Sequence, residues 1–372
     1  MRQIRTLFGS IDWWLISAVF LLTLMGLITM YTFDGDNYYF ERQILWIVIA
    51  FVGFILSLIP DYRFLRTGNT AFYLYIGTVI LLVLVLFLGE TVKGAQSRFD
   101  FGLFSLQPSD PAKLVLIAIL AKYFSKRHEL IGDFRHILVS GVYALVIIVL
   151  VFIQPDFGSA IILFSIWLGL VLVSGIRLRH LAVVGTLGLV VFMGLWNFGF
   201  QEYQKDRILT FLHPLADIQG TGYNAYQSTI AVGSGQILGK GVGYGTQSKL
   251  QFLPEYETDF IFAAYAEEWG LVGVTLLFGL FAIVIWRILL LALNGATNFE
   301  RLFSVGVAIL LISHFFVHIG MNIGLLPVTG TTVPFLSYGG SHLLTELFAI
   351  GMVIAMSRYK ASEYIQKDFI EG

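Results

Sequence analysis

Ten apolar runs, most of them long enough to cross a lipid bilayer, dominate the chain. A helix that spans a bilayer needs roughly 20 apolar residues, and it satisfies its own backbone amides where no water is present. The sequence therefore predicts an all-α integral membrane protein, a polytopic bundle of about ten transmembrane helices. The fourth, fifth and sixth runs are short enough for tilted or re-entrant segments. The runs cover approximately residues 12–33, 44–59, 71–89, 111–124, 137–153, 158–175, 180–197, 260–290, 303–325 and 338–357.

The composition supports a membrane location and excludes several classes of protein. Of the 372 residues, 57% are hydrophobic and 13% are charged, whereas a soluble domain has about 25% charged residues. The 23 Lys and Arg residues are balanced by 24 Asp and Glu residues, so no nucleic-acid partner is expected. Because the chain has 0 Cys, disulfides, thiolate zinc sites and a cysteine nucleophile are excluded.

The distribution of cations predicts the orientation, because short cytoplasmic loops are enriched in Lys and Arg. With the N-terminus inside, most of the 23 Lys and Arg residues fall in inner loops and tails. We therefore expect a multi-pass protein with both termini in the cytoplasm and an uncleaved first span. Two large loops, about 90–110 and 198–259, then face the outside, and any chemistry that they carry is extracytoplasmic.

Charged residues within apolar runs are the first candidates for function, since a charge at mid-bilayer costs about 2.5 to 3.5 kcal/mol. In Gln107–Lys113, Asp110 and Lys113 are three residues apart at a helix start and can share one helix face. Two interpretations stay open. The residues form a structural pair, with Ser109 or Asp110 capping the helix, or they form a charged wall of a substrate cavity.

Two further carboxylates stand just before apolar runs. Asp156 lies in Gln154–Ser159, where a helix cap is the favoured interpretation. Asp259 lies with Glu255 in Leu253–Phe260, and we expect Asp259 in the first turn of the helix that follows. The positive helix end keeps this carboxylate ionised, which suits a cation ligand or a general base, although a low pKa weakens a base.

The glycine-rich stretch Gly233–Thr246 is similar to a nucleotide-binding loop only superficially. A P-loop needs Gly where the chain has Ser234, and Ser or Thr where it has Gly241. We interpret the stretch as a flexible outer loop whose backbone amides approach a ligand. Farther along, Glu267 and Glu268 follow Asp259 on the next predicted helix, and together these carboxylates predict a polar stripe along it.

His314, His318 and Asn322 are four residues apart and therefore face the same side of one predicted span. Two histidines without an adjacent acid are weak evidence for a metal site. Hydrogen bonds between helices are the favoured interpretation. Glu346 is another acid within a span, and we expect it to face the bundle, with no partner assigned.

Ordered motifs along nearly the whole chain resemble the SEDS family (shape, elongation, division and sporulation), the polytopic bacterial peptidoglycan glycosyltransferases. The short termini and total length favour a RodA-like member over an FtsW-like one. The resemblance implies a single membrane domain over residues 1–372, in the bacterial cytoplasmic (inner) membrane. The motifs are Lys93–Arg98, Gln107–Lys113, Gln154–Asp156, Gly222–Ser228, Gly233–Gly235, Phe252–Glu255, Thr258–Phe262, Gly324–Gly330 and Pro334–Ser341.

The resemblance implies that the chain polymerises lipid II into glycan strands at the outer face of the membrane, during cell elongation and shape maintenance. Asp259 matches the essential acid of the family, proposed as the general base for the acceptor hydroxyl. An inverting reaction with a diphosphate leaving group also needs cations. The candidates are Lys113, Arg98, Arg207 and Lys240, with Asp110, Asp156 and Glu255 as further supporting residues. A divalent cation (Mg²⁺ or Mn²⁺) is compatible with this chemistry, with ligands unknown.

The resemblance also implies partners, namely a class B penicillin-binding protein that acts as the transpeptidase and other membrane proteins of an elongation complex. No Ser-x-x-Lys motif stands in a predicted outer loop, so this chain should not crosslink peptides. The chain departs from the family at Asp110, where Glu is usual, and at Pro111. It departs again at His318, where Asn is common, and at His342, where a small residue is typical.

Two other classes of function compete with a glycosyltransferase. A transporter (flippase) for a lipid-linked cell-wall precursor would use buried charges and discontinuous helices. Such a protein should show related halves and midplane charges, and the sequence has no convincing internal repeat. A scaffold that only recruits a partner would leave the buried Asp110, Lys113, Asp156 and Asp259 without an explanation.

Overall fold

A computed structural model describes residues 11–33, 38–92, 95–100, 102, 105–127, 134–175, 178–200, 202–212 and 222–358. Most of these residues are helical. The helices are α1 (Trp13–Tyr31), α2 (Tyr38–Ser57), α3 (Arg63–Thr67), α4 (Thr70–Leu88), α5 (Ser109–Ser125), α6 (Phe134–Ile153), α7 (Phe157–Val173), α8 (Leu178–Phe198), α9 (Glu202–Leu212), α10 (Tyr223–Ser234), α11 (Thr246–Lys249), α12 (Ile261–Leu293), α13 (Asn298–Asn322) and α14 (Gly340–Ser357).

Each of the ten predicted apolar runs lies on a helix. Seven of these helices, α1, α2, α4, α6, α12, α13 and α14, are long and apolar enough to cross a membrane. Of the other three, α5 and α7 have 17 residues each, and α8 has its apolar part at Ala182–Phe198. The helical polytopic membrane fold is therefore confirmed, and bilayer crossing by α5, α7 and α8 stays a prediction.

A small antiparallel sheet, which the all-α prediction overlooked, lies in the loop predicted at about 90–110. Its strands are β1 (Glu90–Val92), β2 (Ala95–Asp100) and β3 (Ser105–Leu106), in the order β1-β2-β3. With 3, 6 and 2 residues, the strands are too short to show a clear alternation of polar and apolar residues. The second large loop, 198–259, contains α9, α10 and α11.

Glycines let the central helices approach one another closely, as small residues commonly do in membrane bundles. A Cβ added to Gly306 of α13 would collide with Ile117 of α5, and one added to Gly351 of α14 would collide with Ser57 of α2. Helix α14 packs along α2, α12 packs along α1 and α13, and α13 also contacts α5 and α7. Helix α13 is therefore central, and the segment that follows it enters the core of the bundle.

Helix α12 is interrupted at Gly270, which has φ 63° and ψ −166°. The glycine-rich loop fills the break, because the N–H of Lys240 donates to the carbonyl of Glu267 at 2.9 Å. The N–H of Gly241 donates to the carbonyl of Glu268 at 3.0 Å. These amides are bonded to the protein itself, which corrects our interpretation of them as groups that approach a ligand.

Candidate functional site

Asp259 lies in a tight turn that ends where α12 begins. The carbonyl of Glu255 accepts the N–H groups of Thr258, Asp259 and Phe260 at 3.0 to 3.2 Å, and Glu255 itself has φ 50°. Because Phe260 is the N-cap, Asp259 precedes the first helical residue, and the prediction that it occupies the first helical turn is wrong. The carboxylate is half-buried and still lies at the positive end of the helix. Glu255 contributes to the site by shaping this turn.

Asn322, at the end of α13, fixes the turn from the other side. Its Nδ2 donates to the carbonyl of Asp259 at 3.0 Å and to that of His318 at 2.8 Å. Its Oδ1 accepts the N–H of Ala263 at 3.2 Å, and its backbone carbonyl accepts the hydroxyl of Ser228 on α10 at 2.8 Å. The predicted role of this face of α13 in hydrogen bonding between helices is confirmed for Asn322.

The segment 326–339, between α13 and α14, forms a third side of the site. Gly330 has φ 72°, and a Cβ built on it would lie 3.5 Å from Asp259 Oδ2. The hydroxyl of Ser337 donates to the carbonyl of Thr258 at 3.0 Å. The N–H of Tyr338 donates to the carbonyl of Glu257 at 2.9 Å. The segment and the Asp259 turn are thus held together by one side-chain and one backbone hydrogen bond, with Gly330 beside the carboxylate.

Asp110 and Lys113 form the pair that their spacing predicts. Lys113 Nζ lies 3.0 Å from Asp110 Oδ1, and both side chains are buried in α5. The N-cap of α5 is Pro108, so neither Ser109 nor Asp110 is the capping residue. The structural pair is confirmed without the cap, and a role of the pair in binding substrate stays a prediction.

Two residues of α14, which the sequence left without partners, complete this charged cluster. His342 Nδ1 lies 3.5 Å from Asp110 Oδ1, and His342 Nε2 lies 2.9 Å from Glu346 Oε1. The second oxygen of Glu346 accepts the N–H of Phe335 at 3.1 Å. The contact between α5 and α14 could not be predicted from local spacing, because it depends on how the two helices pack.

Asp156 caps α7, which confirms the favoured interpretation. Its Oδ1 accepts the N–H of Ser159 at 3.0 Å, and its Oδ2 accepts the side-chain amide of Gln107 at 2.8 Å. A Cβ added to Gly158 would press against the carbonyl of Thr329 in the segment 326–339. Asp156 therefore joins the start of α7 to the start of α5, beside the same segment that contacts Asp259.

Lys240 pairs with a buried carboxylate of α12. Its Nζ lies 2.6 Å from Glu267 Oε1, and Glu267 also accepts the N–H groups of Thr246 and Gln247. Glu268 accepts the N–H of Gly243 at 3.1 Å. The predicted stripe of Glu267 and Glu268 therefore holds the glycine-rich loop to the helix. The cation of Lys240 belongs to this contact, and its predicted role toward substrate stays untested.

The other two predicted cations lie in the two loops that are predicted to face the outside, Arg98 on β2 and Arg207 on α9. The side chain of Arg207 lies outside the part of the chain that the structure describes. Burial raises the pKa of Tyr338, and the positive charges of Arg42 and Arg98 oppose that increase. Arg42 also lies 4.5 Å above the ring of Tyr38. Sequence reasoning missed Arg42, since a lone cation at a span end is unremarkable.

The predicted divalent cation has no ligand set in the described ranges. Among the residues of those ranges, no group of three His, Asp or Glu side chains is arranged to hold a metal ion. Asp110 and Glu346 are each engaged with other groups of the protein. The described side chains by themselves therefore do not fit a complete metal site.

The chain matches known proteins along most of its length. Residues 5–362 match the model of the FtsW, RodA and SpoVE family, which is described as a cell cycle protein. Stage V sporulation protein E of Bacillus subtilis (strain 168) is 34% identical over 362 residues, covering 94% of this chain and 98% of that protein. Peptidoglycan glycosyltransferase MrdB of Escherichia coli (strain K12) is 38% identical over 288 residues, covering 77% and 78%.

The fold also matches a solved structure. A chain from the structure described as "Structural coordination of polymerization and crosslinking by a peptidoglycan synthase complex" has a TM-score of 0.80 to this chain. The two are 30% identical, and the match covers 94% of this chain and 98% of the other. The similarity of fold therefore extends over most of the length of both chains.

Proposed function

The chain belongs to the FtsW, RodA and SpoVE family and is a peptidoglycan glycosyltransferase, and from this premise we propose that it polymerises lipid II. The family is the SEDS family that the motifs resemble. In the proposed reaction, the glycan of one lipid-linked disaccharide is joined to another at the outer face of the bacterial cytoplasmic membrane. The acceptor hydroxyl attacks the anomeric carbon with inversion, and the lipid diphosphate leaves with the electron pair of the broken bond.

Asp259 is the proposed general base. The observation that carries this assignment is its place between the start of α12 and Gly330, where a Cβ built on the glycine would lie only 3.5 Å from Asp259 Oδ2. A half-buried carboxylate can reach a bound hydroxyl while remaining within a fixed backbone turn. Asn322 and the carbonyl of Glu255 hold that turn, so little reorganisation is needed when the proton moves.

Cations are needed to stabilise the departing diphosphate. We propose that Arg98 and Arg207 of the outer loops serve this purpose, joined by Arg42, whose positive charge acts on Tyr338 together with that of Arg98. We propose that Lys113 supports the site through its pair with Asp110, and that Asp156 supports it as a helix cap. Lys240 is a weaker candidate, because Glu267 already balances its charge.

A requirement for Mg²⁺ or Mn²⁺ stays part of the proposal. Mg²⁺ is commonly bound through one or two carboxylates together with phosphates of the substrate, so a complete protein site is unnecessary. We expect EDTA to abolish polymerisation and added Mg²⁺ or Mn²⁺ to restore it. Full activity in EDTA would remove the cation from the proposal.

The direct test uses purified protein with lipid II and a divalent cation, alone and with a cognate class B penicillin-binding protein. We expect glycan polymer from the wild type and at least a 100-fold lower rate from Asp259→Asn, in line with the loss of a general base. Asp61→Asn is the matched control, since Asp61 is exposed and pairs with its near neighbour Arg63. Equal rates from the two variants would contradict the assignment of Asp259.

A flippase is the alternative outcome of the same experiment. If folded wild-type protein makes no polymer, reconstituted vesicles with labelled lipid II would show whether the protein moves the lipid across the bilayer. Translocation without polymerisation would replace the glycosyltransferase proposal. Polymerisation that depends on Asp259 would support it.

The role in elongation and shape is the finer part of the proposal, together with its partners. FtsW, RodA and SpoVE share one family model, so similarity alone supports a polymerase in general. Expression in hosts depleted of either their elongation or their division polymerase tests the role, and we expect rescue of rod shape. Copurification tests the proposed partners, the transpeptidase and other proteins of the elongation complex. Labelling from each side of the membrane tests whether both termini are cytoplasmic.

A further inference from the structure

Four ionisable side chains form a continuous buried chain between α5 and α14. Lys113 Nζ lies 3.0 Å from Asp110 Oδ1, and His342 Nδ1 lies 3.5 Å from that same oxygen. His342 Nε2 lies 2.9 Å from Glu346 Oε1. None of the four side chains is more than 11% exposed. Each charge in this chain therefore has to be balanced by the others rather than by water.

The geometry determines the protonation state that His342 needs. The ring nitrogens of His342 lie 3.5 Å and 2.9 Å from oxygens of two different carboxylates, which are ion-pair distances. Only the positively charged imidazolium, which carries a proton on each nitrogen, is attracted to both carboxylates. Two cations then balance two carboxylates, while a neutral His342 would leave one buried negative charge uncompensated.

His314 packs against this chain from α13 without adding a charge. Its ring centroid lies 4.6 Å from that of His342. Its Nδ1 lies 3.3 Å from the carbonyl of Thr332, to which it donates, and its Nε2 has no acceptor among the described residues. A neutral His314 satisfies this arrangement, so His342 is the histidine that balances the two carboxylates.

Glu346 links the charged chain to the segment 326–339. Its Oε2 accepts the N–H of Phe335, whose φ of 64° is rarely adopted by a residue other than glycine. Two residues later, Ser337 donates to the carbonyl of Thr258, the neighbour of Asp259. Glu346 therefore holds a strained backbone that in turn holds the turn containing Asp259.

We propose that His342 is a positioning residue of the glycosyltransferase site. Its imidazolium joins Asp110 to Glu346 and thereby holds the segment 326–339 against the Asp259 turn. The effect on activity rests on the proposed function, whereas the effect on stability rests on the charge balance alone. The two effects are measured separately for this reason.

Charge compensation distinguishes this proposal from simple packing of a ring. His342→Gln removes one buried positive charge, and we expect the melting temperature in detergent to fall by roughly 3 to 6 °C. Adding Glu346→Gln removes one negative charge while keeping an oxygen for the N–H of Phe335. The double variant should regain most of the lost melting temperature. Glu41→Gln is the control second substitution, since Glu41 is exposed on α2 and should restore nothing.

The kinetic measurement tests positioning on the folded fraction of each variant. We expect His342→Gln to lower kcat for glycan polymerisation roughly tenfold with little change in KM, and the double variant to recover most of it. If adding Glu346→Gln to His342→Gln restores neither property, the proposal that His342 balances the charges of Asp110 and Glu346 is overturned. If it restores the melting temperature while kcat was never reduced, positioning is overturned. A wild type that makes no polymer overturns the proposed function. The melting temperatures of the variants still test whether His342 balances the two carboxylates.

Discussion

The side-chain amide of Asn322 donates to the backbone carbonyl of Asp259 at 3.0 Å. The same side chain accepts the N–H of Ala263 at 3.2 Å, so it bonds the chain on both sides of the point where α12 begins. Asn322 is fully buried at the end of α13. A helix that is distant in the sequence therefore sets the position of the proposed base.

Asn322→Leu tests this relationship. The substitution keeps the volume but leaves the carbonyl of Asp259 and the N–H of Ala263 without a partner, at a cost of about 1 to 3 kcal/mol each. We expect a lower melting temperature and a lower polymerisation rate per folded molecule. Asn197→Leu on α8 is the control, since Asn197 is exposed and bonds only to Met193 of its own helix. Wild-type behaviour of the Asn322 variant in both measurements would contradict the prediction.

Gly330 and Gly324 form a matched pair for testing the space beside Asp259. Their φ values are 72° and 76°, so Ala at either position carries a similar strain of about 1 to 2 kcal/mol. A Cβ on Gly330 lies 3.5 Å from Asp259 Oδ2, whereas one on Gly324 lies 3.7 Å from Thr229 Oγ1. We expect similar melting temperatures, with polymerisation reduced only by Gly330→Ala and more strongly by Gly330→Val. Equal activities of the two Ala variants would argue against substrate access at Gly330.

Lys240→Met distinguishes a structural cation from one that binds substrate. In this variant the fully buried Glu267 loses the ammonium that lies 2.6 Å away. Because the side chain of Lys240 is 30% exposed and partly screened by water, we expect a loss of about 1 to 3 kcal/mol in the free energy of unfolding. The melting temperature should fall while activity per folded molecule persists. Lys126→Met, at an exposed position after α5, is the control. The reverse result, lost activity at an unchanged melting temperature, would return Lys240 to the diphosphate site.

Asp156 should contribute mainly to stability through its helix cap. Asp156→Ala removes the acceptors of Ser159 and Gln107, and we expect a loss of about 1 to 3 kcal/mol. Asp156→Asn keeps one oxygen for the N–H of Ser159 and should lose less. We expect melting temperatures in detergent to decrease in the order wild type, Asp156→Asn, Asp156→Ala. An Ala variant as stable as the wild type would show that the cap is dispensable.

Part of the site could be predicted because it depends on neighbours along the chain. The spacing of Asp110 and Lys113 brings their side chains together on any helix, and this contact is confirmed. Asp156 precedes an apolar run with the residue type of a cap, and it is a cap. The position of Asp259 relative to the start of α12 was missed, because the turn depends on three N–H groups that share the carbonyl of Glu255.

The membrane class and the helices are readable from the apolar runs, since bilayer crossing imposes a length and a composition that are visible in each run. The pairing of buried polar groups depends instead on how the helices pack against one another. Asn322 and Asp259 are 63 residues apart, His342 meets Asp110 of α5, and Glu267 meets Lys240 of the glycine-rich loop. Local periodicity shows that a side chain faces inward, but its partner depends on the packing of helices from distant parts of the chain.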